Sequence, residues 1–146
     1  MTNNPPRGRD RVFVSAFITN HTIPEETNEG VTLFNLQGIG HGHWGTEGDA
    51  IEITEADLFV MVTWVGAPRG AYDVVTEVRS TTGDVLAGVH QQLVEIPQPH
   101  YVYQWNVPLA GITLPKGMFY LWISVDGVQK AALPMRVFGP EDPFTD

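Results

Sequence analysis

A chain of 146 residues with a formal net charge of −9 and no cysteine has the size of one domain. It has no disulfide framework, thiolate nucleophile or Cys-ligated zinc. The acidic balance repels nucleic acid and anionic membranes at long range, so neither is an expected partner. No run of 18 apolar residues is present to span a bilayer.

In chain order, Met1–Asp10 is polar, carries Pro5 and Pro6, and reads as an N-terminal arm (1–10). It lacks the apolar core of a signal peptide, which points to a cytoplasmic protein or one that joins a leaderless assembly. Val12 to Thr19 is apolar, β-branched and aromatic, the composition of a strand. Asn20 to Gly30, with Pro24 and Asn28, reads as a loop, and Val31 to Gln37 as a second strand. Gly38, Gly40, Gly42, Gly45 and Gly48 then form a glycine-dense stretch holding His41, His43 and Trp44.

Ala50 to Thr54 alternates, with Ile51 and Ile53 inward. Leu58 to Val65 is the longest apolar run and reads as a central strand. Ala71 to Ser80 sets Tyr72, Val74, Thr76 and Val78 against Asp73, Val75, Glu77 and Arg79. The Thr82-Gly-Asp84 turn leads into Val85, and the alternation resumes from Val89 to Ile96. Tyr101, Tyr103 and Trp105 share one face of the next strand, and Leu114 to Gly117 turns into Met118–Val125. Asp126-Gly127 is the strongest hairpin signal, because a type I′ turn needs φ > 0 at both central residues. It leads into Val128–Leu133 and then Met135–Phe138.

No dozen residues hold a 3.6-residue apolar period, so the chain reads as all-β, with eight or nine strands over residues 11–138 and an acidic C-terminal tail (139–146). The run from Ile112 through Lys116, Tyr120, Trp122 and Asp126-Gly127, with Gly70, Tyr72, Val78 and the Thr82–Asp84 turn, resembles a family of short bacterial proteins of unknown function. The resemblance covers about half of the chain and implies a single immunoglobulin-like antiparallel β-sandwich. It implies no activity, since such folds host unrelated functions.

Three groups of residues are candidate sites. His41, His43 and Glu47 have the spacing His-x-His-x-x-x-Glu, and i, i+2 imidazoles of a strand point to one side, as a divalent metal requires. That spacing resembles the first metal motif of cupins. Pro115, Gly117 and Tyr120 imitate the second, with Tyr in place of its histidine. The competing reading is a glycine loop with idle histidines. The acidic run Glu47, Asp49, Glu52, Glu55 and Asp57 suits calcium by chemistry, but reads better as a charged sheet edge. Tyr101, Tyr103 and Trp105 would form a platform for sugar rings if exposed, but aromatics this dense in a small sandwich read better as core, built with Trp64 and Trp122. His90 and His100 are isolated.

The three serines, Ser15, Ser80 and Ser124, lie in no Gly-x-Ser-x-Gly elbow, and no phosphate or dinucleotide loop is present. The leading expectation is therefore a non-enzymatic binding or assembly module with a protein partner or self-association, no catalytic residues and no cofactor. The alternatives are a cupin-like metalloenzyme and a carbohydrate-binding module.

Overall fold

The computed structural model describes residues 11–19, 21–26, 32–37 and 42–140; for 21–26, 32–37 and His43 it describes the backbone alone. The elements are β1 (Val12–Thr19), β2 (His21–Glu26), β3 (Thr32–Gln37), β4 (Gly42–Gly45), β5 (Ala50–Glu52), β6 (Asp57–Val65), β7 (Gly70–Ser80), β8 (Val85–Ile96), β9 (His100–Pro108), β10 (Thr113–Pro115), β11 (Gly117–Val125) and β12 (Val128–Phe138). There is no α-helix among the described residues, so none is long and apolar enough to cross a membrane.

Two sheets carry most of the chain, a three-stranded one in the order β1-β6-β9 and a five-stranded one in the order β4-β12-β11-β7-β8. β6 is central, as its apolar run predicts, pairing antiparallel with β1 on one side and β9 on the other. One core joins the inward faces of both sheets: Leu58, Val60, Val62 and Trp64 of β6, Tyr72, Val74 and Val78 of β7, and Leu121, Ile123 and Val125 of β11. Trp64 and Tyr72 meet within it at a centroid distance of 5.9 Å. The alternation predicted for Ala71–Ser80 holds, with Tyr72, Val74, Thr76 and Val78 all buried.

The hairpin turns have the predicted backbone. Asp126 and Gly127 lie at φ 50° and 82°, and Gly83 at 94°. The first turn is tied back to β7, since Asp73 N–H donates to Asp126 Oδ1 at 2.8 Å and Asp126 N–H to the Asp73 carbonyl at 2.8 Å. In the second, Ser80 Oγ accepts from the N–H groups of Thr82 and Asp84 at 3.3 and 3.2 Å.

Three segments read as loop or turn are strands. Within Asn20–Gly30, His21–Glu26 forms β2, antiparallel to β3. Pro24 lacks an N–H, but a two-stranded ribbon leaves each strand a free edge where that donor is not needed. In the glycine stretch, β4 runs parallel to β12. Gly42 makes this approach possible, because a Cβ there would sit 2.6 Å from the Pro134 carbonyl oxygen and 3.0 Å from Ile18 Cδ1. The start of the Leu114–Gly117 turn is β10, which pairs with β5 and sets Leu114 opposite Ile51. With these additions the strands among the described residues number twelve rather than eight or nine.

Candidate functional site

The sequence-predicted residues fall in three different places. His41 lies outside the described residues. His43 stands in β4 opposite Arg136 of β12, and Glu47 is exposed in the turn after β4, beside a hollow of about 220 Å³ lined by Thr46, Phe138 and Pro140. Tyr120 is half-buried on β11 opposite Pro134, so β12 stands between the strands carrying the two half-motifs. Among the described residues, no group of three or more His, Asp and Glu side chains is placed to hold a metal ion. Of the acidic run, Glu47, Asp49, Glu52 and Glu55 are exposed and Asp57 is half-buried.

The aromatic row of β9 faces inward. Trp105 is buried, and Tyr101 and Tyr103 are half-buried against the core. Tyr103 and Trp105 pack edge to face at 5.2 Å. Trp64 shares that core, but Trp122 does not. Trp122 stands on the outer face of β11 under the Arg79 guanidinium, 4.6 Å from the ring centroid. Tyr120 and Met118 lie two and four positions before Trp122, so all three share the outer face.

Sequence reasoning passed over a polar chain at the edge where β8 meets β9. Gln92 Nε2 donates to Tyr103 Oη at 3.1 Å, while Gln92 Oε1 lies 3.1 Å from His90 Nε2 and accepts its proton in the Nε2–H tautomer. Thr76 lies opposite His90 in the register, and its hydroxyl is buried with no hydrogen-bond partner among the described residues. His100 is occupied differently, its Nδ1 accepting from Gly66 N–H at 3.2 Å.

Sequence reasoning also passed over the outer face of the three-stranded sheet. The register aligns Phe13 with Thr63 and Val102, Ser15 with Met61 and Gln104, and Phe17 with Phe59 and Asn106. Phe13 is 58% exposed, Val102 50%, Val65 44% and Phe17 43%. None of these positions bears a charge, in a chain whose net charge is −9; the next row, Thr19, Asp57 and Pro108, brings in the carboxylate of Asp57. The other exposed apolar side chains lie elsewhere: Val85, Leu86 and Leu93 on β8 and Met118 on β11. There the neighbours are ionic, with Asp73, Glu77 and Arg79 on β7 and Arg136 on β12. The β1-β6-β9 face is closed only toward Asp57, where Thr19 and Phe59 are buried although the register turns them outward, and where β2 contacts β6.

The signal for this face was present in β1. A strand apolar at both phases of its alternation, Val12, Val14 and Ile18 against Phe13 and Phe17, must either be covered on both sides or expose one. No protein-family model matches the chain, and no curated protein matches it.

Proposed function

We propose that this protein is a non-enzymatic binding or assembly module whose working surface is the outer face of β1, β6 and β9. One observation carries the reading: that face gathers four large exposed apolar side chains, Phe13, Phe17, Val65 and Val102, and its charged position on β6, Asp57, lies half-buried at the closed end. Charge depletion with aromatic enrichment distinguishes the centre of a protein interface from ordinary surface, and contiguous apolar patches on a free surface mark interaction sites. The rigid sheet beneath fixes the side chains before a partner arrives, so little conformational entropy is lost on docking.

We further infer an immunoglobulin-like topology. In that fold, strands A, B and E share one sheet and G, F, C and C′ the other. Assigning β1, β6 and β9 to A, B and E and β12, β11, β7 and β8 to G, F, C and C′ reproduces both orders. This agrees with the family that the C-terminal third resembles.

A photo-cross-linking residue introduced at Ser15, exposed at the middle of the face, tests the functional reading in the producing cell. The same residue at Ala132, exposed on the outer face of β12, is the control. Adducts at Ser15 and none at Ala132 are expected; no adduct at Ser15 overturns the proposal.

A further inference from the structure

The outer face of β1, β6 and β9 ends at an open strand edge, and the backbone of that edge selects what can dock along it. Leu109 N–H donates to the Ala56 carbonyl at 2.9 Å, one step beyond the Asp57–Pro108 pair, and from there the β6–β9 register runs to Val65–His100 without a shift. Opposed residues of an antiparallel ladder alternate between pairs that exchange both backbone bonds and pairs that exchange none. Val107, Trp105, Tyr103 and Tyr101 therefore bond β6, while Asn106, Gln104 and Val102 turn their N–H and C=O groups away from it. Pro108 falls in this second phase, where β6 does not need its missing N–H. β9 is the last strand of its sheet, and the backbones of Val102, Gln104 and Asn106 make no hydrogen bond to another described residue.

We propose that β9 receives an extended, uncharged segment of a partner polypeptide as a fourth strand of this sheet; the inference rests on the binding reading above and names how the partner enters. Donors and acceptors repeat along the edge at every second residue, about 7 Å apart. A polypeptide in the same extended conformation presents the matching series, which is recognition by strand addition. Proteins ordinarily shield such an edge with charge, an interior proline or a bulge. β9 has none of these: from His100 to Pro108 there is no Asp, Glu, Lys or Arg, and the only proline is the last residue. The other long edges are protected. β8 carries two register shifts and Glu95, and β1 runs against β12, where Ile18 Cδ1 lies 3.0 Å from the position of a Cβ on Gly42 of β4. Side chains of the added strand lie beside Val102, Gln104 and Asn106 on the outer face and beside half-buried Tyr101 and Tyr103 on the inner one. None of these neighbours offers an ionic partner, so a charge in the segment would lose hydration without compensation.

Hydrogen exchange of the purified full chain reads the edge. The amides of Val102, Gln104 and Asn106 are expected to exchange roughly 100-fold faster than those of Tyr103 and Trp105; equal protection overturns the inference. The docking itself is read in the producing cell, with the cross-linking residue at Ser15. Gln104→Pro removes the central outward N–H and is expected to cut the adduct about tenfold or more. Gln104→Thr loses the same side chain but keeps the N–H, and is expected to leave the adduct unchanged. Gln104→Lys sets a charge on the edge; it is expected to act like the proline variant, and it decides the matter if Gln104→Pro does not fold. An adduct indifferent to a folded Gln104→Pro or to Gln104→Lys overturns strand addition and leaves the binding reading standing. A loss with Gln104→Thr as large as with Gln104→Pro does the same. Absence of any Ser15 adduct in the wild type overturns both.

Discussion

Single residues in this fold are constrained by contacts that can be costed. Gly42 lies where β4 crosses close to β12, and Gly42→Ala brings a methyl group within 2.6 Å of the Pro134 carbonyl oxygen. Relieving that overlap moves β4 away, at about 2 kcal/mol, which urea unfolding measures as a lower midpoint. Thr76 is the reverse case. Its hydroxyl is buried with no hydrogen-bond partner among the described residues, so Thr76→Val removes an unsatisfied group and keeps the branched shape. We expect a gain of about 1 kcal/mol, read as a higher midpoint with an unchanged slope. At Asp126, held at φ 50°, the carboxylate accepts the Asp73 N–H. Asp126→Ala loses that bond and the tolerance for positive φ, costing about 2 kcal/mol by thermal denaturation, while Asp126→Asn keeps most of both.

At the level of the elements, the β7–β8 hairpin and the β7–β11 pairing are joined through one side chain. Arg79 donates to Glu77 Oε1 at 2.9 and 3.2 Å and to the Gly83 carbonyl at 3.2 Å, and its plane covers Trp122. Lysine supplies neither the fork nor the stacking plane. Arg79→Lys is therefore expected to cost about 1 kcal/mol and to raise hydrogen exchange at the Ser80–Asp84 turn more than at Asp126–Gly127. The long strands were legible in the sequence because each carries its own alternation: β7 shows it in Tyr72, Val74, Thr76 and Val78, and the Asp126-Gly127 turn specifies its own backbone. The short strands were not. β2, β4 and β10 take their conformation from the strand they pair with, and Pro24, Gly42 and Pro115 are residues that isolated propensity reads as breaks.

For the whole molecule, the informative property is where charge is missing. The sequence placed Trp64 and the β9 aromatics beside a core, but it also put Trp122 there. Alternation alone does not say which face of β11 is inward, and only the register with β7 and β12 does. The binding face was illegible for a related reason. Phe13, Thr63 and Val102 belong to three strands far apart in sequence, and only their pairing makes them one uncharged row. Carbene footprinting of the full chain, purified in dilute solution and within the producing cell, tests the assignment of this face as the docking surface most directly. In the cell, labelling of Phe13 and Val102 is predicted to fall while that of Leu93, 65% exposed on β8, stays constant. Equal labelling of Phe13 in both settings, in proportion to its 58% exposure, would contradict it.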